Sequence, residues 1–224
     1  MASQAVAARP RGPGWLSAVE FLAGGAIVVG HNVFKVLPNE VFILFVLGWI
    51  SIRWRDGGWK SVGLVRPRSW PLTLGIALGA AALRLGAGYA VEAVGAHFWP
   101  PIKAPEGVEA IAGDWQKALL YLGLVWTFAA FGEEMSYRGY LMTRAADLGR
   151  RSTAAYWAAA VAVAVLFCFG HYYKGPTGII DSGVAGLILA AAYLLSGRNL
   201  WAAILAHGFV DTFGVIALFL GYDI

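Results

Sequence analysis

Charge is scarce in this sequence. Only 13% of its 224 residues are Asp, Glu, Lys or Arg, where soluble domains average about 25%. Too few charges remain to coat a water-facing surface, whereas a lipid-facing one needs none. Cysteine is nearly absent as well. Cys168 stands alone, which excludes an internal disulfide and a cysteine-based zinc site, and it reads as a packing residue. No His-Glu-x-x-His stretch occurs, so the helix signature of zinc proteases is missing. No internal repeat, low-complexity tract or second domain is visible, and residues 1–224 read as one integral membrane domain with a motif core at about 116–222. A cleavable leader is not expected. "MASQAVAARPRGPG" is basic, but the apolar stretch behind it contains Glu20 and no clear small-residue cleavage site. A net charge of +4 is too modest to suggest nucleic acid as a partner.

Apolar residues are abundant. Hydrophobic side chains make up 59% of the chain, with 10 tryptophans and 29 glycines, in keeping with aromatic belts and small-residue helix contacts. A spanning helix needs about 20 mostly apolar residues. Such stretches fall at roughly 15–34, 38–54, 70–95, 116–145, 153–172, 179–196 and 200–222. The predicted fold is therefore all-α, a polytopic transmembrane bundle of about seven spans with a polar cavity inside. The first span is the weakest of the seven, and Gly75 with Gly79 fits small-residue packing in the third. Basic residues collect in alternate loops: Arg53, Arg55, Lys60, Arg66 and Arg68, then Arg144, Arg150 and Arg151, then Arg198. With Arg9 and Arg11 they predict a cytoplasmic N-terminus, and the loop carrying Glu106, Glu109 and Asp114 faces the other side. The alanine- and glycine-rich usage suggests a GC-rich bacterial genome and hence a bacterial inner membrane.

Ionisable groups inside spans are costly and usually face a cavity or each other. The second half holds Glu133, Glu134, Arg138, His171, His207 and Asp211. Glu134 and Arg138 are four apart and can pair on one helix face. Glu133 lies about 100° round an α-helix from Glu134, so one acid can be neutralised by the arginine while the other meets a different environment. A lone buried carboxylate suits a general base acting on water. "FCFGH" sets Phe167 and His171 one turn apart, and "HGFVD" does the same for His207 and Asp211, where the aspartate could orient the imidazole or offer its oxygen to a ligand. Each cluster alone also reads as structural: a glutamate–arginine pair as membrane glue, a histidine at a span end as interfacial. His31 and His97 read that way too, and Arg84 with Glu92 as structural partners in the third span. Counting at the α-helical rise, Glu133 lies about 20 Å above the cytoplasmic end of its span, His207 about 12 Å and His171 nearly 30 Å. These depths converge only if the turn 196–199 sits inside the membrane boundary or if 150–157 lies along the interface.

Together the clusters resemble the CPBP family, the type II CAAX-prenyl endopeptidases with the bacterial Abi and bacteriocin-processing proteins. Its pattern is Glu-Glu-x-x-x-Arg, Phe-x-x-x-His and His-x-x-x-Asn or Asp, met here by "EEMSYR", "FCFGH" and "HGFVD" in that order. "WKSVGLVRPRSW" before the third span also looks like a loop these proteins carry. The resemblance implies an intramembrane glutamate-dependent endopeptidase. Glu133 would activate water, His171 would help hold it, His207 and Asp211 would stabilise the oxyanion, and Glu134 with Arg138 would support the site. The prenyl-protein enzymes carry asparagine at the last position, so Asp211 leaves the oxyanion partner open. Two histidines, a glutamate and an aspartate could ligate zinc, but the family is read as glutamate-type and no required cofactor is expected. The expected partners are the bilayer and a membrane-associated protein or peptide substrate. Two alternatives stay open: a non-catalytic immunity or assembly factor on the same scaffold, and a small transporter, which should show repeats in both halves.

Overall fold

The computed structural model describes residues 12–100 and 111–222. Arg9, Arg11, Glu106 and Glu109, on which part of the predicted topology rests, lie outside the described residues. Among those described there are seven helices and no strands. They are α1 (Gly14–Asn32), α2 (Glu40–Arg55), α3 (Trp70–Gly95), α4 (Trp115–Asp147), α5 (Thr153–Gly170), α6 (Gly175–Leu195) and α7 (Leu200–Phe219). Side chains set most of their starts by accepting otherwise unpaired backbone N–H groups. Asn39 begins α2, Ser69 begins α3, Asp114 begins α4, Ser152 begins α5 and Asn199 begins α7. The Lys117 backbone N–H, bonded to Asp114, holds that carboxyl below its ordinary pKa.

The exterior is apolar and the interior carries charge. Leu22, Ile50, Leu83, Phe128 and Leu220 are exposed, while Arg55, Glu134, Arg138 and Arg144 are buried. This inversion is what lipid as solvent demands, and the protein is an integral membrane helical bundle. Six of the seven helices are long and apolar enough to cross a membrane. The exception is α2 rather than the first helix, because its 16 residues reach only about 24 Å. The sixth helix begins at Gly175, one turn before the predicted start. Gly75 and Gly79 have open space where a Cβ would stand, so they do not mediate helix contact.

The α2–α3 and α6–α7 connections come together at one end of the bundle. The Leu200 N–H donates to the Gly63 carbonyl at 3.0 Å, Asn199 Nδ2 to the Val65 carbonyl at 3.0 Å, and Tyr193 Oη to the Val62 carbonyl at 2.9 Å. At the same end, charges that read as loop signals in the sequence form a buried lattice. Arg144 contacts Asp56 at 2.5 Å, Asp147 at 2.9 Å and Glu20 at 2.9 Å. Arg55 contacts Glu20 at 2.7 Å. Arg151 contacts Asp147 at 2.5 Å and also Asp56. Burial disfavours the charged form of Arg151, but its bonds to Asp147 and the charge of Asp56 together hold the guanidinium above its ordinary pKa. Three arginines thus meet three carboxylates and tie α1, α2, α4 and the α4–α5 turn together. Arg84 in the third helix pairs across to Asp181 of α6 at 2.5 Å, not along its own helix to Glu92.

Removing one member of a buried ionic lattice strands its partners. Arg144→Ala is expected to lower stability by about 3–5 kcal/mol. Lys60→Ala, at an exposed position of the same end, is expected to change it by less than about 0.5 kcal/mol. Thermal unfolding of both variants in detergent checks the pair.

Candidate active site

The first motif does not sit on an α-helix. From Val125 to Leu141 the fourth helix is wound as a π-helix, with i→i+5 hydrogen bonds, wider turns and less rise per residue. The angle between Glu133 and Glu134 is therefore smaller than the α-helical value, yet their surroundings still differ. Less rise also brings Glu133 nearer the lattice end of its helix than an α-helical count gives. The fifth helix begins at Thr153, so residues 150–157 do not form a separate interfacial stretch. The turn at 196–199 is instead held against 62–65 by the bonds described above.

Glu134 is fully buried, and its Oε1 accepts from two donors. Arg138 Nη1 donates at 2.9 Å, and His207 Nδ1 lies at 2.8 Å. A carboxylate only accepts, so Nδ1 carries a hydrogen and the His207 ring is fixed with Nε2 turned the other way. Nε2 lies 3.5 Å from Asp211 Oδ2, within ion-pair range but long for a hydrogen bond. The orienting task that the sequence leaves open for Asp211 is thus performed by Glu134. Arg138 also donates through Nη2 to the Gly186 carbonyl at 3.1 Å, which anchors the pair to α6.

Phe167 joins the three motifs. Its ring centroid lies 4.6 Å from that of His171 and 6.4 Å from that of His207, and the Arg138 guanidinium sits 4.7 Å over its face. His171 closes α5, with Nδ1 3.0 Å from the Phe167 carbonyl. A carbonyl can only accept, so His171 carries its hydrogen on Nδ1 and leaves an Nε2 lone pair. Tyr137, one residue before Arg138, packs edge-on to Phe167 at 5.0 Å. The glycine of "FCFGH" has a steric reason, since a Cβ at Gly170 would stand 2.9 Å from the Tyr137 hydroxyl.

Glu133 takes none of these contacts. It lines a cavity of about 220 Å³ together with His171 and Tyr137, and its Oε2 is buried with no protein partner. It lies within electrostatic reach of His207, Asp211, Glu134 and Arg138. The sequence-predicted residues therefore converge, with Glu133 and His171 at the cavity and Glu134, Arg138, His207 and Asp211 beside it. Sequence reasoning missed part of the wall. His31, Asn32, Lys35, Asn39 and Glu40 of the α1–α2 connection also line the cavity. His31, expected merely to meet water, has Nε2 3.2 Å from the buried Glu40 and Nδ1 2.8 Å from the Leu37 carbonyl. No spacing rule links residue 40 to residue 133. The only available signal was a glutamate heading an otherwise apolar span. His97 meets the Ala93 carbonyl at an exposed position, as its span-end reading implies. Among the described residues, no group of three or more His, Cys, Asp and Glu is disposed to hold a metal ion.

Residues 115–213, just under half of the chain, match the family model of type II CAAX prenyl endopeptidases, Rce1-like. The matched segment contains all three motifs, and the match agrees with the family they resemble. That family is one of proteases. No curated protein and no solved structure matches the chain.

Packing behind the second histidine gives a test of the site's framework. A Cβ at Gly208 would stand 2.5 Å from the Trp126 ring, whose Nε1 donates to Thr212 Oγ1 at 3.1 Å. Gly208→Ala is expected to cost about 1–3 kcal/mol through this overpacking. Gly75→Ala, which points into open space, should be neutral or stabilising by up to about 1 kcal/mol. Unfolding midpoints of the two variants check the contrast.

Proposed function

We propose that the protein is an intramembrane glutamate-dependent endopeptidase that hydrolyses a peptide bond in a membrane-associated protein or peptide. The observation that carries this reading is the Glu133 carboxylate, which lines a cavity beside His171 while Glu134, Arg138, His207 and Asp211 engage one another. In the proposed reaction a water molecule sits between Glu133 and the lone pair of His171 Nε2. Glu133 takes its proton, and the resulting hydroxide forms a bond to the scissile carbonyl carbon. The carbonyl π electrons move to oxygen, and the oxyanion is met by an N–H at His207 Nε2. Collapse re-forms the carbonyl and breaks the C–N bond. The proton held by Glu133 passes to the leaving nitrogen, so the products are a new carboxyl and a new amine.

The supporting roles follow from the same contacts. Glu134 holds the Nδ1–H of a doubly protonated His207, whose Nε2–H is left for the oxyanion; Arg138 balances the charge of Glu134, and Asp211 compensates the positive charge on His207. Four donor side chains of the kinds that bind zinc are present, but Glu134 and Arg138 already occupy one another and one face of His207. The reaction is proposed to need no metal. The site operates in a bacterial cell membrane with the N-terminus on the cytoplasmic side, a setting that the basic loops 53–68, 144–151 and 198 support.

Two outcomes are expected. Glu133→Gln keeps the side-chain shape and removes the base, so mass spectrometry of new peptide termini should find termini in membranes of wild-type cells that are lost in variant cells. If no termini differ and Glu133→Gln still rescues a deletion phenotype, the protein acts as a non-catalytic scaffold. Chelation with EDTA or 1,10-phenanthroline should leave cleavage by the purified enzyme unchanged, and loss of activity restored by zinc would overturn the metal-free mechanism.

A further inference from the structure

The mouth of the cavity lies at a definite end of the bundle. Its exposed wall residues are Lys35 and Asn39 on the α1–α2 connection and Tyr173 on the α5–α6 connection. Helix α1 runs toward residue 32 and α2 departs from residue 40, so their connection lies at the end opposite the Arg144–Asp56 lattice. Helix α5 leaves the lattice end at Thr153 and reaches the mouth at Gly170. The Gly113 N–H donates to the Phe219 carbonyl at 2.9 Å, which puts the start of α4 and the finish of α7 at the mouth end too.

The two ends differ in basic residues. Among the described residues, Arg53, Arg55, Lys60, Arg66, Arg68, Arg144, Arg150, Arg151 and Arg198 belong to the lattice end, against Lys35, Lys117 and Lys174 at the mouth end. An excess of Lys and Arg in short connections marks the cytoplasmic side, and pairing with acids does not cancel the bias, because acids contribute little to it.

We infer that the Glu133 cavity is entered from the non-cytoplasmic face, through a vestibule built by the α1–α2 connection. Its substrates therefore present the scissile peptide on that face of the membrane. The inference rests on the endopeptidase reading for what enters, and on helix direction and charge alone for the side. The vestibule has a fixed shape. The contact of His31 Nε2 with Glu40 at 3.2 Å ties the end of α1 to the start of α2, and the Asn39 side chain accepts the Phe42 N–H at 3.1 Å to hold the turn between them. Glu40 contributes to the wall itself, since its Oε1 would lie 3.9 Å from a Cβ at Gly170. Lys35 rims the opening. Because 31–40 lies outside the family-matched segment 115–213, this wall is where the chain can define its own substrate.

Cysteine accessibility in intact cells tests both parts. With Cys168→Ala as background, Lys35→Cys and Lys60→Cys are each treated with a membrane-impermeant maleimide. Val36→Cys, exposed on the same connection, is the second mouth position should Lys35→Cys fold poorly. Position 35 or 36 should label in intact cells, and position 60 only after permeabilisation. The reverse pattern would overturn the side assignment. A bulky maleimide on position 35 should also abolish the Glu133-dependent peptide termini, while one on position 60 should leave them intact. Undiminished cleavage after full labelling at 35 would overturn the entry route. If Glu133→Gln changes no termini at all, the endopeptidase reading fails, and the labelling pattern still decides which face the cavity opens on.

Discussion

One carboxylate oxygen organises the site. Glu134 Oε1 is shared by Arg138 and His207, and through these two partners it links α4 to α7 and, by way of the Gly186 carbonyl, to α6. A buried carboxylate in an apolar bundle requires such partners, because an uncompensated charge there costs several kcal/mol. Once the partners are engaged, the direction of every other group is constrained. The His207 ring cannot turn without breaking its bond to Glu134. Phe167 is pinned beneath the Arg138 guanidinium, and His171 packs at a tilt against Phe167. Glu133 is the one acid of the motif left facing the cavity.

The lattice of Arg55, Arg144 and Arg151 with Glu20, Asp56 and Asp147 does comparable work at the far end of the same helix. It fastens the lower part of α4 to α1 and α2, while Glu134 and Arg138 fasten its middle to α6 and α7. The Glu134–Arg138 clamp sits within the π-wound stretch Val125–Leu141, and the lattice lies just beyond its end. A wide helix of this kind has weaker intrinsic support than an α-helix, and the sequence supplies that support as tertiary ion pairs within its second half and just after its end.

Much of this was legible in the sequence. Scarcity of charge and the lengths of the apolar runs predicted the helices, five of their starts to within a residue, and three spaced motifs predicted which groups converge. What escaped had physical reasons. The π winding leaves no trace in a pattern read at α-helical spacing. Arg144 and Arg151 read as topology markers because their partners, Asp56 and Glu20, lie far away in the chain. Glu40 and His31 were invisible as site residues for the same reason.

The brevity of α2 has a consequence for the lipid around the protein. Phe42, Leu47, Trp49 and Ile50 are exposed along it, so this helix meets acyl chains directly. It falls roughly 6 Å short of a typical hydrocarbon core of about 30 Å. A bilayer meeting a short hydrophobic wall thins locally, and here the thinning occurs beside the helix whose first residue, Glu40, forms the cavity wall. Headgroups and interfacial water would thereby be drawn down toward the mouth, and the proposed hydrolysis would have a route for its water without a dedicated channel.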